Sequence, residues 1–296
     1  MERLPEKIAL FYTIVVISCT VGCITWNPGW KMSPNMDARV NVNVMLEKTK
    51  KLENDADTKE KLQELIVVYE SALHREPVNR TVLESLARNC FLMAYGYSRH
   101  VDEKSRYYVK SIQYAEQALC LNKDFKVKVD HGAKLWESLD VLTRNDMYAL
   151  MSWYFSAGSY WKECFNVLER VMNVLWVKRF QKIIERMMEI DPTYLHGMPY
   201  YLWASFYSGA PSFAGGDLKK ADSMFKKAIA FGPTMLNYRR TRALLLYTKT
   251  GNREAFVRDM EWILSRNPHK APLGYPLNVF VQRDAKDRLA AVDRYF

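Results

Sequence analysis

The chain has 296 residues, of which 49% are hydrophobic and 26% charged, a balance that excludes general disorder and allows a substantial core in one large or two ordinary domains. Only 12 glycines and 11 prolines punctuate it, which suits long helices better than many short strands. The net charge is +10, yet basic residues are mixed with acids, as over Glu47 to Lys61, and no dense basic run with interleaved aromatics occurs, so the composition argues against nucleic-acid binding.

The first eighteen residues form a short tripartite segment: a charged head from Met1 to Lys7, an apolar run from Ile8 to Ile17, then Ser18. Ten residues, all but Thr13 apolar or aromatic, cover about half of a bilayer's hydrocarbon core as a helix, too few for a spanning segment but suited to a secretory signal. Val16-Ile17-Ser18-Cys19 resembles a bacterial lipobox, and Thr20-Val21-Gly22-Cys23 is a second, looser candidate. The resemblance implies cleavage before the cysteine and acylation of its thiol, with Cys19 as the lipidation site and Cys23 as the alternative. An ordinary signal peptide followed by two incidental cysteines is the competing reading. Residues 1–18 are thus a lipoprotein signal peptide and 19–42 a tether, containing Trp26, Pro28 and Pro34. Cys90, Cys120 and Cys164 remain, each inside an apolar helical pattern. With no CxxC and no cysteine–histidine spacing, they read as buried free thiols, and no metal site or cofactor is expected.

From residue 43 to 296 the periodicity is helical nearly throughout. The spacing predicts helices over roughly 43–53, 58–75, 79–98, 104–121, 130–143, 146–160, 166–189, 196–209, 217–231, 234–249, 252–266 and 276–292. Asn145 or Asp146, and Asp217 after Gly215-Gly216, are the expected N-caps. Within this run a frame recurs at positions 0, +4, +7 and +12. Ala221, Phe225, Ala228 and Pro233 give small, aromatic, small, proline; Leu65, Tyr69, Ala72 and Pro77 match at three of four. Phe180, Ile184, Met187 and Pro192, and Phe256, Met260, Ile263 and Pro268, keep the apolar face and the proline. Ser111, Ala115, Ala118 and Lys123 keep the small residues alone. Positions 0, +4 and +7 share one helix face, where alanine admits a close neighbour and the ring fills the gap. Proline five residues on cannot continue the helix, so the chain turns. The pattern resembles the second helix of tetratricopeptide repeats. Leu83, Leu86 and Ala87, and Ala243, Leu244 and Tyr247, occupy the partner helices. The expected fold is therefore all-α: an α-α superhelix of degenerate tetratricopeptide-type helix pairs with extra helices. Uneven steps mark insertions, notably over 126–145.

A more specific likeness follows from Ile190-Asp191-Pro192-Thr193-Tyr194 with Gly197, then Phe206-Tyr207, then Gly215-Gly216-Asp217-Leu218-Lys219-Lys220-Ala221 with Phe225 and Lys227-Ala228-Ile229. A Leu-Trp-Glu motif near 135 and a closing helix from Pro276 to Tyr295-Phe296 agree in order. The sequence resembles the T component of TPR-protein-associated TRAP transporters, the TatT-like lipoproteins, and departs from that family in its long apolar stretch from Phe165 to Lys182. The resemblance implies a periplasmic lipoprotein, anchored to a membrane of the bacterial envelope, beside a TRAP-type solute uptake system. It further implies a homotrimer, association with the extracytoplasmic solute-binding (P) component and indirectly with the permease, and a hydrophobic pore or cleft through each protomer.

Two aromatic clusters are the candidate contact residues: Trp153, Tyr154, Phe155, Tyr160 and Trp161, and Tyr200, Tyr201, Trp203, Phe206 and Tyr207. Neighbouring positions point to different sides of a helix, so not all can face one core. Trp153, Tyr154, Trp161, Tyr200, Trp203, Phe206 and Tyr207 are taken as lining a ligand or partner cleft, with ordinary helix packing the alternative for each. The stretch from Gly209 to Gly216 reads as a loop at the cleft mouth. Catalytic constellations are not evident: the five histidines are scattered, and there is no HExxH, GxSxG or GxGxxG. The expected activity is binding rather than catalysis. An envelope-assembly scaffold that recruits outer-membrane or cell-wall machinery is the second reading.

Overall fold

The computed structural model describes residues 26–32 and 42–296, and the segment expected to be a signal peptide and both candidate lipidation cysteines lie outside the described residues. The described residues are helical, without strands. In chain order the helices are α1 (Val42–Glu53), α2 (Lys59–Arg75), α3 (Arg80–Leu92, continued by a π-turn at Met93–Tyr97), α4 (Val101–Leu119), α5 (Lys123–Asp130), α6 (Met147–Glu163) and α7 (Val167–Met172). Next come α8 (Leu175–Ile190), α9 (Tyr194–Gly209), α10 (Leu218–Phe231), α11 (Leu236–Arg242, continued by a π-turn at Ala243–Tyr247), α12 (Arg253–Leu264) and α13 (Tyr275–Ala290). Side-chain oxygens start several of them. Thr58, Asn79 and Asn252 each accept from a backbone N–H three residues on, and Asp217 accepts from Lys219 and Lys220. These bonds satisfy donors that have no partner inside the helix.

The repeat frame decides which sides of these helices are buried. In all five sets the residues at 0, +4 and +7 are inaccessible or nearly so, from Leu65, Tyr69 and Ala72 through to Phe256, Met260 and Ile263. Pro77, Pro192, Pro233 and Pro268 all fall in the turns just after α2, α8, α10 and α12. Consecutive helices pack in sequence, α1 on α2, α2 on α3, α3 on α4 and α9 on α10, while α6 lies against both α3 and α4. Two apolar clusters result. One centres on α4, α6, α8, α9 and α10; the other joins α2 and α3 to α12 and α13. Ala228 sits fully buried on α10 against α9. Ala228→Phe is therefore expected to force these helices apart and cost about 1–3 kcal/mol; an unchanged melting temperature would show that the frame is wrongly placed.

Three departures from the predicted elements have local causes. The helix expected over 130–143 is absent. Instead α5 ends at Asp130, the chain turns at Gly132, whose φ is +94°, and three short 3-10 turns follow at Leu135–Glu137, Leu139–Val141 and Arg144–Asp146. Leu135, Leu139 and Leu142 are all buried, so their helix-like spacing is met by successive tight turns. Asp146 is buried, and its carboxylate turns back to accept from Thr143 N (2.9 Å), Thr143 Oγ1 (3.0 Å) and Asn122 Nδ2 (2.8 Å) rather than capping α6. The helix expected over 166–189 is two, because Asn173 Nδ2 donates to Glu169 O at 2.9 Å and stops α7. At the start of α9, Leu195, His196 and Gly197 have φ of +46°, +61° and +79°. Tyr238 holds the bend by donating its hydroxyl to the carbonyls of Leu195 and His196, each at 3.2 Å. A Cβ at Gly197 would lie 2.7 Å from Phe231 Cβ, so the turn needs glycine for space as well as dihedral.

Candidate functional site

At the seam of the two clusters lies a cavity of about 340 Å³, at the lower end of the range for small-molecule sites. Helix α6 forms its long wall. Residues from Tyr148 at one end to Glu163 at the other line it, about 22 Å of helix at 1.5 Å per residue. The cavity is thus elongated. Phe91 of α3 and Tyr95 of its π-turn face α6 across the space, with Phe180 of α8 and Tyr201 and Phe206 of α9 completing an aromatic sleeve. Ring contacts knit it together: Phe91 stacks on Tyr95 at 5.3 Å, and Tyr154 meets Phe180 edge-on at 5.6 Å. Gly158 on α6 leaves room in the middle, since a Cβ there would meet only Phe180 Cζ, at 3.9 Å.

Polar groups are interspersed with the rings: Arg88, Ser152, Ser159, Lys162, Glu163, Ser205, Asn237 and Thr241 also line the cavity. Tyr201 Oη lies 2.8 Å from Thr241 Oγ1 and accepts from Asn237 Nδ2 at 2.8 Å. Burial pushes the Tyr201 hydroxyl up to about 12 and the Tyr154 hydroxyl higher still, so both remain neutral at physiological pH. At the C-terminal end of α6 Glu163 pairs with Lys104 at 2.6 Å and accepts from Tyr108 Oη at 3.1 Å. Beside it the Trp161 indole N–H is shielded from solvent and has no acceptor among the described residues. A buried donor without a partner is costly, and here it belongs to a residue that lines the cavity.

The seven aromatics singled out in the sequence divide three ways. Tyr154, Trp161 and Phe206 line the cavity. Tyr200, Trp203 and Tyr207 share another face of α9: Tyr200 stacks on Phe231 at 5.5 Å, and Trp203 stacks on Tyr207 at 5.0 Å with Lys220 over the Tyr207 ring. Trp153 points away into the core and stacks on Trp176 at 5.7 Å. Gly209, Ala210 and Pro211, from the loop expected at the cleft mouth, do line the cavity. Phe91 and Tyr95 come from α3 and its π-turn and Phe180 from α8, and only folding brings them to α6.

A second constellation, missed in the sequence, sits behind α6. Glu116 of α4 is 1% exposed. Its Oε1 accepts from the indoles of Trp26 and Trp153, each at 3.1 Å, and its Oε2 from Gly29 N at 2.6 Å. Burial pushes its carboxyl up to about 7, against the pull of these three donors. Gly29 approaches so closely that a Cβ would lie 2.1 Å from the Gln113 carbonyl oxygen. Residues 26–32, in the stretch read as tether, thus lie fastened to α4. The signal was available: Glu116 falls between Ile112 and Leu119 on the buried side of α4, in register with Ala115.

Among the described residues no cluster of histidine, cysteine, aspartate and glutamate is arranged to hold a metal, and no helix is long and apolar enough to cross a membrane. Cys90 is buried and Cys120 and Cys164 partly so, all free. Burial raises all three thiols, a setting for inert rather than reactive cysteine. The described residues form an all-α body of packed helices around an elongated aromatic cavity. The sequence model of the TRAP transporter T-component family matches residues 53–296, and the chain belongs to that family. It is accordingly an accessory component of a TRAP transport system, and the family is not one of enzymes. None of the curated proteins matches the chain.

Proposed function

We propose that the protein is a lipid-anchored periplasmic accessory subunit that holds an elongated apolar ligand in the cavity along α6 and docks the extracytoplasmic solute-binding component of its TRAP system. The observation that carries this reading is the cavity itself: a mainly aromatic sleeve whose charged lining residues are Arg88, Lys162 and Glu163, with an indole donor at Trp161 that has no acceptor among the described residues and is suited to an acceptor atom of the ligand. Family membership supplies the transport setting; homotrimer formation and the solute-binding partner extend it.

Gly158 gives the test. Glycine inside a helix is unfavourable, so a larger residue there gains about 0.5–1 kcal/mol of helix propensity while its side chain enters the cavity. Gly158→Leu is expected to keep the fold and to reduce co-purifying apolar ligand by about tenfold or more, as a contact loss above 1.4 kcal/mol would. Mass spectrometry of solvent extracts from native and variant protein reads this directly; equal ligand in both would dispose of the cavity as its site. The anchor is tested separately. Replacing both Cys19 and Cys23 with serine should release the protein into the soluble periplasmic fraction, and continued membrane attachment would count against acylation. Recovery of a solute-binding protein from envelope extract by the tagged full chain tests the partner.

A further inference from the structure

Helix α7 is oriented the wrong way for a surface helix in water. Val167, Leu168 and Val171 are 69%, 68% and 64% exposed, and Met172, Val174 and Leu175 extend the same apolar surface. The charged residues of α7 are turned inward by comparison: Glu169 closes a capping box with Asn166, and Arg170 reaches the Lys162 carbonyl at 3.4 Å. Six aliphatic side chains gathered on one exposed bend are more than the scattered apolar residues of an ordinary soluble surface.

The position of the bend says what covers it. Leu175 is followed by Trp176, which packs on Trp26 at 5.7 Å; Trp26 also meets Tyr160, and Tyr160 meets Phe165 just before α7. Trp26 is fixed there by Glu116. Cys19 and Cys23 precede Trp26 by seven and three residues, a reach of roughly 25 and 10 Å at full extension. Lys162, five residues before α7, and Lys178 and Lys182, three and seven residues after Leu175, are exposed, a basic flank suited to anionic headgroups. Trp161, Glu163 and Val177, which flank α7 on either side in sequence, line one end of the cavity.

We propose that the apolar bend formed by α7 and residues 174–175 seats on the lipid surface beside the anchor, turning that end of the cavity toward the bilayer. The proposal rests on the anchored reading given above and adds an orientation to it. The Glu116 latch makes the orientation specific, because the chain leaves the body at one fixed point rather than from a free tether.

The test uses the full chain in vesicles of phosphatidylcholine and phosphatidylglycerol. In a Cys120→Ser, Cys164→Ser background, Leu168→Cys or Val171→Cys is labelled with an environment-sensitive fluorophore, and the vesicles carry a shallow doxyl-labelled lipid. Val127→Cys, exposed on α5, is the control, and the unsubstituted background sets the baseline. Strong quenching at 168 and 171 with none at 127 is the expected result. Labels at 168 and 171 that stay unquenched while the chain floats with the vesicles would overturn the seating and leave the anchor standing. Lipid-independent self-quenching between copies would instead assign the bend to a second protomer. A chain that does not float removes both anchor and seating.

Discussion

Glu116→Ala is expected to lower stability by about 3–5 kcal/mol, or roughly 5–8 °C in melting temperature for a chain of this size. Three buried donors, the indoles of Trp26 and Trp153 and the Gly29 N–H, lose their common acceptor at once. Water cannot easily replace it, because Glu116 is 1% exposed and the rings of its two indole donors, Trp26 and Trp153, pack together at 6.2 Å. Glu116→Gln should cost less, since an amide oxygen still serves the two indoles while its NH2 opposes Gly29 N–H. The pH dependence has a defined sign. The folded carboxyl titrates near 7 against about 4.5 in the unfolded chain, so between those values the folded state holds the extra proton. The contribution of Glu116 is therefore fully present below pH 4.5 and falls as pH rises toward 7, by up to about 3 kcal/mol. Thermal melts of wild type and Glu116→Ala at pH 5 and pH 8 should differ more at pH 5. An equal penalty at both would refute the titration, and no penalty at either would refute the latch. Hydrogen exchange across residues 26–32 should rise in the variant at both pH values.

The sequence makes some of this molecule readable and hides the rest for physical reasons. Burial along a helix has a period, so the Ala221, Phe225, Ala228 set and its four counterparts identify the packed faces, and the prolines identify the turns. Periodicity does not distinguish a helix from successive tight turns, which is why Leu135, Leu139 and Leu142 imitate a helix that Gly132 and the inward-turned Asp146 prevent. The aromatic clusters are visible as compositions, and the argument that they could not all face one core holds: α6 sends Trp153 into the core and Tyr154 into the cavity. Which face receives which depends on the helices packed on either side, and those contacts join residues far apart in the chain. Trp26 meeting Glu116 across 90 positions has no local signature at all. An acid on a helix reads as solvated until its place on the apolar side is noticed.

Asp284→Ala is expected to cost about 3–5 kcal/mol by leaving a buried guanidinium unpaired. Arg240 is 3% exposed; its Nε donates to Asp284 Oδ2 at 2.6 Å and its Nη1 to Tyr95 Oη at 3.1 Å, with its plane over the Tyr95 and Phe280 rings. Arg288 joins from the next turn of α13, its Nε 2.7 Å from Asp284 Oδ2. Burial alone would raise the Asp284 carboxyl, but the two guanidinium groups outweigh it and hold it below the usual carboxylate range. The stabilisation is then complete above an ordinary aspartate pKa and is lost as pH falls through the depressed value, so the acid limb of the stability profile should flatten in the variant. Charge removed in pairs behaves differently from charge removed singly. Arg240→Met combined with Asp284→Leu should recover most of the loss, because an apolar pair carries no desolvation cost between Tyr95 and Phe280. A double variant no better than Asp284→Ala would mean that the site needs the ion pair itself. Tyr95 both accepts from Arg240 and lines the cavity, so the single variant should also loosen that end of the sleeve. Ligand retention should then fall alongside stability in Asp284→Ala and recover in the double variant, which separates a packing defect from a change in the cavity wall itself.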